Sequence, residues 1–182
     1  MKTRRAPDCG FTLIELLVTV AIIAIALQVA VPSLVTFQRN AELTTTANNF
    51  VALLSNARSE AMVKGISTLV VPAVGTDWSS GAVSFVDVDR NSTPTSTNNI
   101  LLGTQPVLPN HLTATGPSSF KFDPSGFAIA NNGTVSIVRN DVSGTEQLRQ
   151  TRRVKVANTG RVRACTPTTS TDSNCTSSTS SN

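Results

Sequence analysis

The sequence has no tyrosine, one tryptophan, one histidine and only three cysteines, and each scarcity closes a route. His111 has no cysteine, histidine or acid at metal-ligand spacing, so it reads as a surface or loop residue and no metal site is expected. There is no Gly-x-Ser-x-Gly elbow, Walker loop or glycine fingerprint. Asp87 and Asp123 are not supported by any candidate nucleophile. "DVDRN" sets Asp87, Asp89 and Asn91 at alternate positions, like the start of a calcium loop. That pattern then needs Gly at its sixth and Glu at its twelfth position, where this chain has Ser92 and Asn98; a solvated hairpin end is the expectation. The residues point to a protein that is not an enzyme and needs no cofactor.

Charge is also sparse: 15 Lys and Arg against 11 Asp and Glu, a formal net charge of +4. The distribution is more telling. Residues 16–38 carry no charge at all. At ~1.5 Å per residue a helix of that length covers roughly 35 Å, enough for a hydrocarbon core of ~30 Å. Lys2, Arg4 and Arg5 precede it and hold the extreme N-terminus in the cytoplasm. A secretory signal fits badly, because its small-residue cleavage site follows the apolar run, whereas Gly10 comes before it. A simple signal anchor explains everything except Glu15, since an acid inside a membrane helix is costly and marks a function or a partner. Pro32 interrupts the run and on its own reads as a tolerated kink.

"GFTLIELLVTVAIIAIA" resembles the type IV prepilin signature. The resemblance implies cleavage by the prepilin peptidase between Gly10 and Phe11 and methylation of the new N-terminus at Phe11. It also implies that Glu15, fifth in the mature chain, pairs with the N-terminal amine of a neighbouring pilin subunit. Two opposite charges buried together cost far less than either alone. For Pro32 the resemblance implies, instead of a tolerated kink, a place where the stem bends or melts as filaments form.

Beyond the apolar run, Leu43, Ala47, Phe50, Leu54, Ala57 and Ala61 alternate spacings of four and three, with Val51 and Met62 alongside. This is one stripe of a helix. Arg58, Glu60 and Lys64 lie off the stripe, Glu60 and Lys64 form an i,i+4 pair, and Gly65 is a helix terminator. One helix is therefore expected from about Phe11 to Lys64. After it the period changes to two. "STLVVPAV", "GAVSFVDV", "NILLGTQPVL", "SSFKFD", "GTVSIVR" and "RRVKVA" read as short strands parted by Gly, Pro, Asn and Asp, with "NNG" at 131–133 as a turn. Connections this short imply antiparallel pairing. The fold class is α+β: a long N-terminal helix whose second half packs on a small antiparallel sheet domain.

"LLSNARSEAMVKG", "DWSSGAVSFVDVD", "SFKFDPSGFA" with "NGTVSI", and "VANTGRVR" are similar, in this order, to blocks of the GspH/FimT pseudopilin family. The expected organisation is a leader over 1–10, a membrane-spanning segment over 11–38, a pilin domain over 39–164, and a loop and Ser/Thr-rich tail over 165–182. The resemblance implies an inner-membrane protein with its domain in the periplasm until it assembles into a pilus or pseudopilus. Cys9 leaves with the leader. Cys165 and Cys175 then remain in an oxidising compartment, where a bridge between them is expected.

"LRQTRRVKVANTGRVRAC" gathers six cations with no acid among them. In a strand over 151–157, Val154 and Val156 face the core with Arg152 beside them, while Arg153 and Lys155 point the other way. After the 158–160 turn, Arg161 and Arg163 project on one side of an extended segment. Charged residues on an edge strand discourage aggregation; the same four cations on one surface also suit a polyanion. No aromatic residue interleaves them, so stacking on single strands is not indicated, and duplex DNA held by its phosphates fits better. "GRVR" is similar to the Gly-Arg-x-Arg pattern of FimT-type minor pilins, implicated in capturing DNA for natural transformation. That resemblance makes Arg161 and Arg163 the leading contacts. A structural minor pseudopilin of a type II secretion system or a pilus-priming tip is the alternative.

Overall fold

Helix α1 covers Leu13–Lys64. The computed structural model describes residues 11–94, 97–130, 133–169 and 172. These divide into two units between Arg39 and Asn40, and each is described by itself.

In the first unit Thr12 closes the opening turn of α1. Its hydroxyl accepts the Glu15 N–H at 3.3 Å and its carbonyl accepts the Leu16 N–H at 3.2 Å, which satisfies donors that a helix start leaves open. Leu13, Ile14, Leu16, Ile22, Ile25 and Leu34 are all exposed, on a helix long and apolar enough to cross a membrane. Hydroxyls along it turn back on the backbone: Thr19 donates to the Leu16 carbonyl at 2.8 Å and Thr36 to the Pro32 carbonyl at 3.1 Å. In lipid such groups have no water to turn to. Pro32 lies inside the helix and deprives the turn before it of one hydrogen bond.

In the second unit the stripe is buried as its spacing predicts. Leu43, Ala47, Phe50, Leu54, Ala57 and Ala61 are each at most 1% exposed. Met62, expected beside them, is largely exposed. Glu60 and Lys64 pair at 3.4 Å. Gly65 ends the helix in the left-handed region (φ 65°), its N–H bonded to the Ala61 carbonyl at 3.0 Å.

The strands are β1 (Thr68–Val74), β2 (Asp77–Val86), β3 (Ile100–Gln105), β4 (Leu112–Thr115), β5 (Phe120–Phe122), β6 (Ala128–Ala130), β7 (Gly133–Arg139), β8 (Thr151–Val156) and β9 (Val162–Cys165), with a short α2 (Gly144–Arg149) before β8. They form two antiparallel sheets, ordered β3-β2-β1-β5-β6 and β4-β7-β8-β9, as the antiparallel domain expected from the sequence. The six runs read as strands all contain one; β4, β6 and α2 were not expected. The "NNG" turn falls partly on 131–132, outside the described residues. Both sheets contribute to the core under α1: Val70, Phe120 and Phe122 from the first, Val135, Ile137, Val154 and Val156 from the second. Trp78 sits between Phe50 and Phe120, with ring centroids 5.9 and 5.6 Å away. Its indole N–H donates to the Pro117 carbonyl at 2.7 Å, as a buried Trp requires.

Three polar residues are drawn into the fold, and one of them, Asp87, differs from expectation. Asp87 is not solvated: its side chain is fully buried, 3.1 Å from Lys121 Nζ, and accepts the Ser92 N–H at 3.0 Å. The end of the 87–99 loop is thus pinned to β5, while Asp89 and Asn91 stay exposed and bond each other at 2.8 Å. His111 lies in the turn just before β4, as a loop residue, with its ring 17% exposed and Nε2 3.0 Å from Glu42 Oε2. Arg139, unremarked in the sequence, is buried and forks onto Asp141 at 2.9 and 2.5 Å, with Nη1 donating to Asn40 Oδ1 at 3.1 Å. The hydrogen bond to Asp141 raises its pKa, against the lowering effect of burial.

Candidate nucleic-acid interface

The outer edge of the four-stranded sheet carries the basic stretch. β8 pairs with β9 so that Arg153 faces Cys165, Val154 faces Ala164, Lys155 faces Arg163 and Val156 faces Val162. Side chains alternate across a strand, and partners directly opposite share a face. Val154, Val156, Val162 and Ala164 therefore belong to the core side, where all four pack. Arg153, Lys155, Arg163 and Cys165 share the outer side. Lys155 and Arg163 are directly opposite one another. Arg161 precedes β9, is exposed, and its carbonyl accepts the Ala157 N–H at 3.0 Å.

Arg153, Lys155 and Arg163 are half-buried. Arg153 has a structural duty as well, donating from Nη1 to the Asp172 carbonyl. Arg152 lies toward the core side at the end of β8, opposite Ile137. Burial lowers its pKa, and it donates to the carbonyls of Arg149 and Thr151 at 3.1 and 3.0 Å. Continuing inward across the sheet from Arg153 and Lys155, the register brings Ser136 and Thr134 of β7 alongside.

The turn that launches Arg161 and Arg163 is held from the helix. Arg58 Nε donates to the Gly126 carbonyl at 2.9 Å and its Nη2 to the Thr159 carbonyl at 3.1 Å. Sequence reasoning had only set Arg58 off the apolar stripe; its partners are 68 and 101 residues away, beyond any local pattern. Asp123, whose catalytic use the sequence argued against, organises the neighbouring turn: its Oδ1 accepts the N–H groups of Ser125 and Phe127, each at 2.9 Å.

Phe11 and Glu15 are exposed at the start of the chain's first unit. Glu15 stands in the first turn of α1, where the positive helix end favours a carboxylate. Gly10, Cys9 and Cys175 lie outside the described residues, as does most of the tail; Cys165 is buried at the end of β9. Among the described residues no three His, Cys, Asp or Glu side chains are grouped so as to hold a metal ion.

Residues 46–160 match the family profile described as type II transport protein GspH, and residues 5–27 match the prokaryotic N-terminal methylation motif. Curated proteins give no match by sequence. Among solved structures the chain is similar to the type IV minor pilin FimU of Pseudomonas aeruginosa, strain PAO1. In one crystal form the identity is 22% over 70% of this chain and 90% of that one, with a TM-score of 0.55. In a second form it is 18% over 66% and 90%, with a TM-score of 0.50. The minor pseudopilin EpsH from the type 2 secretion system of Vibrio cholerae is matched at 17% identity over 70% of this chain and 99% of that one, with a TM-score of 0.47.

Proposed function

The chain belongs to the GspH family of minor pilins and pseudopilins, and on that footing we propose that it is a minor type IV pilin that binds duplex DNA non-specifically during natural transformation. The observation that carries the proposal is the register that sets Lys155 directly opposite Arg163. Cations gathered on one face attract a phosphate chain without regard to sequence, and guanidinium groups add charge-assisted hydrogen bonds to it. Arg161 and Arg163 are the leading contacts, with Arg153 and Lys155 behind them. Guanidinium groups fork onto phosphate oxygens, which positions the duplex without reading its bases.

The same proposal covers the life of the chain. The prepilin peptidase cuts between Gly10 and Phe11, Phe11 is methylated, and the domain stays in the periplasm on its membrane helix until assembly. Glu15 then pairs with the N-terminal amine of a neighbouring subunit. Cys165 and Cys175 form a bridge that ties the segment after β9. The protein is not an enzyme.

The second reading, a structural pseudopilin without DNA binding, is favoured by one specific bond. Arg153 donates to the Asp172 carbonyl, so at least part of the cationic face serves the fold. Fluorescence anisotropy with labelled duplexes of unrelated sequence separates the two. The DNA reading expects saturable binding of similar strength for every duplex, weakened by Arg161→Gln and by Arg163→Gln. Absence of binding by folded wild-type protein leaves the structural reading.

A further inference from the structure

We propose that Arg58, on the helix, is the positioning residue that sets the direction in which Arg161 and Arg163 are presented. This rests on the DNA reading above.

Its guanidinium ties together two turns from different sheets. Nε donates to the Gly126 carbonyl at 2.9 Å, in the turn between β5 and β6. Nη2 donates to the Thr159 carbonyl at 3.1 Å, in the turn between β8 and β9. A third bond joins the turns directly, from the Ala128 N–H to the Asn158 carbonyl at 3.0 Å. The backbones are pressed so closely that a Cβ on Gly160 would lie 1.9 Å from the Gly126 carbonyl oxygen and 2.7 Å from Arg58 Nε. Gly160 also has φ 75°, a region that disfavours any side chain. Its N–H returns to the Ala157 carbonyl at 2.8 Å, closing the turn.

Arg161 is the next residue. There is no slack between the clamped glycine and the first cation, so the angle at which the chain leaves Gly160 is the angle at which Arg161 and the β9 register begin. Arg58 suits this task and lysine does not. A planar fork directs two N–H groups at two fixed carbonyls at once, whereas an ammonium on a flexible stem is a point charge. Side chains already ordered before binding spare the complex the entropy of ordering them.

The test uses the detergent-solubilised full chain and the variants Arg58→Gln and Arg58→Lys. Two readouts are taken: amide hydrogen exchange at Ala128, Ala157 and Gly160, and duplex DNA affinity with its salt dependence. Both variants are expected to speed exchange at those three amides while the core amides of Val135 and Val154 stay protected. Both are expected to weaken DNA binding by about three- to tenfold, the size of losing one or two pre-ordered contacts. Gly160→Ala, which disturbs the same turn from the other side, is expected to reproduce both effects if Arg58→Gln does not fold. Unchanged exchange at the three amides overturns the inference whatever the DNA result. Faster exchange with wild-type affinity overturns it too, provided Arg161→Gln weakens binding. Full affinity in Arg58→Lys alone means that Arg58 acts by its charge, not by position. If wild-type protein binds no duplex, the DNA reading fails and this role fails with it; the exchange data then report only on whether Arg58 holds the turn.

Discussion

Replacing Lys121 with Met tests how the 87–99 loop is held. Asp87 is fully buried and Lys121 is 22% exposed, with 3.1 Å between the charges. Removing the lysine leaves a carboxylate in the core with Ser92 as its remaining partner among the described residues: its N–H at 3.0 Å and its hydroxyl at 3.5 Å. Breaking one side of a buried pair costs about 3–5 kcal/mol, and the low end applies because water reaches Lys121. With a urea m-value of about 2 kcal/mol/M, a loss of about 3 kcal/mol moves the unfolding midpoint down by about 1.5 M. The double variant Asp87→Asn with Lys121→Met removes both charges and keeps an acceptor for Ser92. It should recover most of that loss, to within about 1 kcal/mol of wild type. The assay is urea unfolding followed by Trp78 fluorescence, since Trp78 is buried in the core. A Lys121→Met midpoint within about 0.3 M of wild type would refute the reasoning, as would a double variant less stable than the single one.

Removal of residues 1–38 should yield a folded, soluble domain, because the stripe from Leu43 to Ala61 has its own cover in the second unit; circular dichroism of an insoluble or unfolded product would contradict this. Glu15→Ala should leave leader cleavage largely intact but cut the amount of protein found in sheared pili, and equal incorporation would count against the pairing role. Alkylation of unreduced mature protein should leave Cys165 and Cys175 unmodified, and reduction should lower stability by ~2–3 kcal/mol; a mass with both thiols alkylated rules the bridge out.

The elements legible in the sequence were those with enough repeats to fix a period. Six residues from Leu43 to Ala61 define one helix face, and runs such as "GTVSIVR" are rich enough in β-branched residues, with Val135 and Ile137 alternating around Ser136, to be read as strands. β6 has three residues and β4 four, too few alternations to stand out, and the six-residue α2 has no buried side chain to mark it. The split into two sheets depends on which strands become neighbours, and no local pattern encodes that. Asp87 was misread for the same reason. "DVDRN" looks like a solvated loop until Lys121, 34 residues on, comes beside it. The alternation of the basic stretch was readable because Val154, Val156 and Val162 mark the core side. That Lys155 stands opposite Arg163, and that Arg58 holds the turn between them, follows only from the strand register and a long side chain reaching across the fold.

The central claim is that the face bearing Arg161 and Arg163 holds DNA by its phosphates. The most direct measurement is the salt dependence of duplex binding for wild type, Arg161→Gln, Arg163→Gln and the double variant, with Arg39→Gln as control. Each phosphate contact releases about 0.9 of a counterion, so each tail substitution should lower the slope of log K against log salt by roughly one unit, and the double variant by roughly two. Arg39→Gln should leave affinity and slope unchanged, and stability should move by less than ~0.5 kcal/mol in the tail variants. A folded double variant with wild-type affinity and wild-type slope contradicts the claim and returns these arginines to protecting the edge of a sheet.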